Sequence, residues 1–183
     1  KKKTVIETRL KIENEDIYPF KGLIFTLGFS PQPIILNILS LQPKFVYFIL
    51  SKETDTQLNT VIQETQLMPE QYHKKYIDKN SAADAYKAVK KGFQFLKYDN
   101  NLPDHEIALD PTGGTKIMSL GSGLYTSTVN LNVIYVSNTK YNPKLRRPEP
   151  GSEEILMISN PFHIYYDQYI LKGLDFLDKG NFS

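Results

Sequence analysis

The sequence predicts an α/β fold: a mostly parallel sheet with helices on both faces, completed by a C-terminal antiparallel strand and a helix. Three observations predict it. Short apolar runs bounded by glycine, proline or polar residues recur at Gly22–Leu27, Phe45–Leu50, Glu106–Leu109 and Leu131–Ser137, with the length and flanks of strands covered on both faces. Longer stretches with apolar residues at helical spacing lie between them, and strands alternating with helices imply parallel pairing through crossovers. The last run, Glu154–Ile158, follows a polar loop with no helix in between, which predicts an antiparallel neighbour for it.

Each element has its own warrant. Residues 4–12 alternate weakly through Val5, Ile6, Leu10 and Ile12 and read as a strand or an arm. After Gly22–Leu27, Ser30 is suited to cap a helix and Pro31 to occupy its first position. Ile34, Ile35, Ile38, Leu39 and Leu41 carry that helix to Pro43. After Phe45–Leu50, the turn Ser51–Thr54 leads to a helix capped by Thr54 or Asp55, carrying Leu58, Val61 and Ile62 and ended by Pro69. Tyr72–Ile77 is a more polar strand and belongs towards a sheet edge. Ser81–Asp84 resembles a capping box, and Ala82, Tyr86, Val89, Phe93 and Leu96 then form one core-facing stripe. Thr115–Thr128 reads as a helix containing Gly121 and Gly123. Glycine costs about 1 kcal/mol inside a helix, so this one is expected to lie very close to the sheet or to a partner subunit. The polar loop Asn138–Ser152 suits a hairpin or a ligand-facing role. From Phe162 the apolar positions 166, 169, 170, 173, 174 and 177 give a final helix.

Composition narrows the function. The 183 residues fit one domain, or one with a short appendage, and 40% hydrophobic with 23% charged residues is ordinary for a globular chain. A formal charge of +2 is too small for a protein that coats nucleic acid by charge. Any anion site must therefore be local. Cysteine is absent, and His73, His105 and His163 stand too far apart for a metal-ligand spacing. No metal and no cofactor are expected. No apolar run reaches the roughly 18 residues of a membrane span. The chain starts Lys1-Lys2-Lys3 without a Met, as a piece of a longer protein would. That triplet is either a solvated terminus or the cytoplasmic flank of a membrane helix, and the expected location is cytoplasmic.

The stretch with most chemical content is Asp110-Pro111-Thr112-Gly113-Gly114-Thr115-Lys116. A strand, a glycine turn and a helix start together aim several backbone N–H groups at one place, where the helix dipole adds partial positive charge. Gly113 and Gly114 permit close approach and φ > 0, and Lys116 adds an ammonium one turn in. Such a place binds an anion, most often a phosphate. The alternative is a strand-to-helix turn with no ligand. The spacing is not G-x-x-x-x-G-K-[ST], and no G-x-G-x-x-G follows the first strand, which argues against triphosphate and dinucleotide sites. Three turns, Gly28–Pro33, Ser51–Thr54 and Asp110–Lys116, lie at strand C-terminal ends. They converge on one crevice if their strands are neighbours.

Gly28-Phe29-Ser30-Pro31-Gln32-Pro33, the 110–116 turn, and Tyr141-Asn142-Pro143-Lys144-Leu145-Arg146-Arg147-Pro148-Glu149-Pro150-Gly151-Ser152 occur in this order on a βα alternation. Together they resemble the CRISPR-associated Rossmann-fold (CARF) sensor domain, as found in accessory effectors of type III CRISPR systems. The resemblance covers residues 20–180. It implies a Rossmann-like fold, a single ligand-sensing domain over residues 1–183, and a homodimer binding a cyclic oligoadenylate, a small cyclic RNA, across its twofold axis. Cyclic tetra-adenylate is the expected ligand. The implied ligand-binding residues are Gly28, Phe29, Ser30 and Pro31 against the ring, and Ser51, Lys52, Glu53 and Thr54 near an adenine pocket. Thr112, Gly113, Gly114, Thr115 and Lys116 would hold phosphates and riboses, with Asp110, Met118 and Arg146 completing the set. An effector or membrane segment would lie elsewhere in the longer chain, and DNA is not an expected partner.

Simpler readings stand beside these. Lys116 suits an ordinary helix surface, and Ser30 caps a helix without needing a ligand. Arg146 and Arg147 are either phosphate clamps or solvated partners of Glu149, and Tyr125 and Tyr135 are core or dimer contacts. Two functions then compete: a sensor with its output elsewhere, and a metal-independent ring nuclease using the ligand's own 2′-hydroxyl as nucleophile with a lysine stabilising the developing charge. No histidine lies in the three turns, so the sequence supplies no obvious general base beside Lys116, and the expectation is a sensor with no catalytic residue. An unrelated nucleotide enzyme of similar fold is a third reading.

Overall fold

The computed structural model describes residues 20–144, 147–149, 151–158 and 162–179. The weak alternation at 4–12 and Arg146 lie outside the described residues. The elements run β1 (Gly22–Leu27), α1 (Gln32–Leu41), β2 (Phe45–Leu50), α2 (Asp55–Thr65), β3 (Tyr72–Tyr76), α3 (Ala82–Gln94), β4 (Ile107–Asp110), α4 (Lys116–Thr126), β5 (Asn132–Asn138), the short β6 (Tyr141–Asn142) and β7 (Arg147–Pro148), β8 (Glu153–Ile158) and α5 (Phe162–Asp178). The sheet order is β3-β2-β1-β4-β5-β8. Every pair is parallel except β5–β8, which is antiparallel as the missing crossover helix predicts. Within the polar 138–152 loop, β6 and β7 pair antiparallel.

Alternation along the strands sends side chains to two cores. Leu23, Phe25 and Leu27 of β1, with Val46, Phe48 and Leu50 of β2, pack against Ile34 and Ile38 of α1 and Leu58 and Val61 of α2. Ile24, Tyr47 and Ile49 face the other way, against Ala85, Ala88, Val89 and Phe93 of α3 and Met118 and Tyr125 of α4. This is why the β1 and β2 sequences read as continuous apolar runs. Burying each such Leu, Ile or Phe contributes about 1.5–3 kcal/mol. The β3 edge shows exposed His73, Lys74 and Lys75 to solvent, and lysines on an edge oppose pairing with another sheet.

Several local expectations shift by a residue or more. The cap of α1 falls on Pro31, whose ring offers no side-chain acceptor, with Pro33 in the first turn and Ser30 exposed just outside. Thr54 does stand at the cap of α2, but its hydroxyl donates to the carbonyls of Leu27 and Ser51 rather than capping the helix. Ser81 caps α3 as expected, accepting the N–H of Asp84 at 3.1 Å. The buried stripe of α3 runs through Ala85, Ala88, Val89, Gly92 and Phe93, with Ala82 and Tyr86 half-buried at its margin.

The glycines of α4 separate. A Cβ on Gly121 would lie 2.2 Å from the Ala82 carbonyl oxygen and 2.9 Å from the Ala85 Cβ, so at Gly121 it is α3 that α4 closely approaches. A Cβ on Gly123 would meet nothing within 4 Å. Backbone atoms cannot yield as a flexible side chain does. Gly121→Ala is therefore expected to lower unfolding free energy by about 1–3 kcal/mol, the usual scale of overpacking, whereas Gly123→Ala raises helix stability by up to about 1 kcal/mol. Urea unfolding of the two variants checks this opposite sign.

Candidate functional site

The chain leaves β1 towards β2 and β3, then returns to β4 on the other side of β1. The sheet order therefore reverses between β1 and β4. There α1 departs to one face and α4 to the other, which opens a crevice beyond the strand C-terminal ends. The turns after β1 and β4 meet in it. A Cβ on Gly28 would lie 2.3 Å from the Gly113 carbonyl oxygen, and one on Gly114 would lie 2.4 Å from Thr26 Oγ1. Gly151 is the one glycine among the described residues with positive φ. Gly113 and Gly114 therefore serve by leaving space, and the expected left-handed conformation is not used.

Side chains tie the turns together. Thr115 caps α4, its Oγ1 accepting the Met118 N–H at 3.2 Å and donating to the Lys79 carbonyl at 2.9 Å. Lys79 in turn pairs with Glu53 in the turn after β2. Thr54, buried in that same turn, reaches the end of β1. The Ser119 N–H makes the first intrahelical bond of α4, to the Thr115 carbonyl. Helix geometry leaves the N–H groups of Thr115, Lys116 and Ile117 with no acceptor inside the helix, and Lys116 itself is exposed at the first position of α4.

Asp110 is the hub of the turn. Its side chain is fully buried. Oδ1 accepts the Thr112 N–H at 2.8 Å and the Thr112 hydroxyl, and Oδ2 accepts from Asn37 Nδ2 at 2.6 Å. The Thr112 hydroxyl also accepts the Val136 N–H at 2.9 Å. Desolvation pushes the Asp110 carboxyl above the ordinary carboxylate value, against the pull of its Thr112 and Asn37 hydrogen bonds. A folded-state carboxyl raised above its unfolded value stabilises most at low pH, and that stability is lost as pH rises from the unfolded pKa towards the folded one. Asp110→Asn, which cannot ionise, is expected to gain stability relative to wild type as pH rises from about 4, and urea unfolding from pH 4 to pH 7 checks the sign.

The three expected turns are thus brought together, but their residues play unequal parts. Phe29, Ser30, Lys52, Glu53 and Lys116 are exposed, and Thr112, Gly113, Gly114 and Thr115 are half-buried. Gly28, Pro31, Ser51, Thr54, Asp110 and Met118 are buried in this chain, with Met118 inside the α3–α4 core. Asn37 and Lys79 bond to these turns, Thr26 packs against Gly113 and Gly114, and none of the three was anticipated. An asparagine within the apolar run Ile34-Ile35-Leu36-Asn37-Ile38 is the one sequence signal that marks any of them.

Residues 31–159 match the sequence family described as the Card1 CARF domain. The CRISPR system endoribonuclease Csm6 of Thermus thermophilus is 30% identical over 182 residues, covering 93% of this chain. The chain spans 37% of the length of that relative. Among solved structures, Can2 from Sulfobacillus thermosulfidooxidans in complex with cyclic tetra-adenylate superposes with a TM-score of 0.54 at 19% identity, covering 63% of this chain and 32% of Can2. A type III CRISPR defence DNA nuclease activated by cyclic oligoadenylate superposes at 0.51 and 11% identity, covering 74% of this chain and 19% of the nuclease. Both likenesses are of fold.

Proposed function

The chain belongs to the Card1 CARF domain family, and from that membership we propose that it is a sensor. Two copies bind a cyclic oligoadenylate, with cyclic tetra-adenylate as the preferred ring, and pass the signal to an effector segment in a longer chain. The observation that carries this reading is one side of α4. Lys116 lies one turn before Leu120 on that side, and Ile117, Leu120 and Leu124 beside it are exposed, Leu120 by 60% and Leu124 by 52%. Residues four apart on a helix share a face. Pairing two copies through this stripe buries it and sets two Lys116 ammoniums and two open helix N-termini side by side. A ring with four phosphates matches that doubled cradle in charge and in symmetry. Phe29, 66% exposed beside the Gly28 turn, offers a face on which an adenine can stack.

Titrating the protein with cyclic tetra-adenylate and then analysing the nucleotide tests the proposal. Intact ring recovered from a tight complex supports the sensor, and linear di-adenylate would replace it with a ring nuclease. Affinity is expected to fall with rising salt, because phosphate contacts are screened. Leu120→Glu places a charge at the centre of the apolar stripe. It is expected to leave a folded monomer in light scattering at micromolar concentration and to abolish ring binding in the same samples. A dimeric Leu120→Glu protein that still binds the ring would remove α4 from the interface.

A further inference from the structure

We propose that Asn37 is a positioning residue for the ligand turn: from the helix that follows one turn, it grips the carboxylate on which the other turn is folded. The binding readout of this proposal rests on the ligand reading above. Asn37 sits inside α1 with its side chain fully buried among apolar neighbours. Asparagine is a poorer helix former than the leucine or alanine that would pack there. Its Oδ1 is buried without a hydrogen-bond partner, which is unfavourable in itself. Two such disadvantages call for a compensating contact, and the one present is the 2.6 Å bond from Nδ2 to Asp110 Oδ2 across 73 residues of sequence.

That bond is the first link of a chain. Asn37 donates to Asp110, Thr112 donates to the other oxygen of Asp110, and Val136 donates to the Thr112 hydroxyl. The chain thereby joins α1, the end of β4 and β5. It crosses the point where the sheet order reverses, beneath the 110–116 turn. Among the described contacts, the Asp110 carboxylate meets only these neutral donors, so Asn37 alone fixes its Oδ2. Without that contact the carboxylate turns more freely. Thr112 follows it, and the N–H groups of the Gly113–Lys116 segment lose their common aim. Recognition by several convergent groups tolerates only small displacements of this kind.

Two variants and two measurements decide the matter, using the whole 183-residue chain and cyclic tetra-adenylate as the probe. Asn37→Leu keeps bulk and apolar packing but removes the donor. Ile38→Ala, the control, removes buried packing from the same helix and leaves the Asn37–Asp110 bond in place. Measured well below the unfolding transition of each protein, Asn37→Leu is expected to weaken ring binding by about tenfold or more and Ile38→Ala by no more than about threefold. Amide hydrogen exchange without ligand is expected to speed up at residues 112–115 in Asn37→Leu and to stay unchanged in the strands. A purely structural asparagine would lower stability and leave both readings at their wild-type values, and that result overturns the proposal. Equal losses in the two variants also overturn it, because lost stability and not the bridge would then matter. Should wild type itself not bind the ring, the ligand reading fails separately. The exchange data then judge the positioning role alone: faster exchange at 112–115 upholds it and unchanged exchange overturns it.

Discussion

Gly28→Ala is expected to reduce cyclic tetra-adenylate binding by at least about a hundredfold, which corresponds to roughly 2.8 kcal/mol. The new methyl carbon would lie 2.3 Å from the carbonyl oxygen of Gly113. Neither partner can turn away, since one is a Cβ fixed by its backbone and the other is a backbone atom. The β1 and β4 turns must separate, and they are the two sides of the crevice. Separation also disturbs the Gly113 contact with the Thr26 carbonyl, where a Cβ would already stand at 2.8 Å. The fold should survive, because the clash lies at the strand ends and not in either core. A loss of about 1–3 kcal/mol in stability is the expected overpacking penalty. Calorimetric titration at low temperature, with circular dichroism to show an intact fold, separates the two effects. A variant that binds within threefold of wild type would show that close approach of these turns is not what the site requires.

Lys116→Ala is the second large effect, and it should be almost free of structural cost. Lys116 is exposed at the first position of α4, and alanine is a good helix former. The unfolding midpoint is expected to stay near that of wild type. In a symmetric complex one ring meets both copies, so each substitution counts twice. Losing a tenfold contribution, about 1.4 kcal/mol, at each copy gives about a hundredfold weaker binding of one ring per dimer. The slope of affinity against salt should flatten as well, since fewer phosphate charges are neutralised. Lys116→Arg keeps the charge and should recover part of the affinity. An unchanged titration curve for the alanine variant would reduce Lys116 to an ordinary surface residue. Gly28→Ala and Lys116→Ala then differ in kind: one moves the frame of the site and the other removes a charge from it.

The order of elements was legible because the strands next to the crevice are apolar over most of their length. Gly22–Leu27 and Phe45–Leu50 match the observed strands residue for residue. Element ends were less legible. The expected Ser30 cap moved to Pro31, and the buried stripe of α3 keeps the expected Val89, Phe93 and Leu96 but starts on Ala85 and Ala88 rather than Ala82 and Tyr86. Caps and stripe phase depend on which neighbours the helix meets, and local sequence carries little of that. The turn at 110–116 was visible from its glycines and lysine, but the reason for the glycines was not. They were expected to supply positive φ, whereas the structure uses them for proximity to β1 and its turn.

By itself, the sequence determined the alternation of strands and helices, the antiparallel return of the last strand, and the residues of a glycine-lined turn that ends at a lysine. Those follow from patterns within a few residues of each other: periodicity, turn chemistry and charge. Only the tertiary structure decided that Gly28 and Gly113 touch, that Asp110 is buried and bridged to Asn37, and that Lys116 shares a helix side with an exposed apolar stripe. Each of these joins residues far apart in the chain or depends on which side of a helix its neighbours cover. Such relations exist only once the sheet has brought β1 and β4 together and the two cores have covered the opposite sides of their helices.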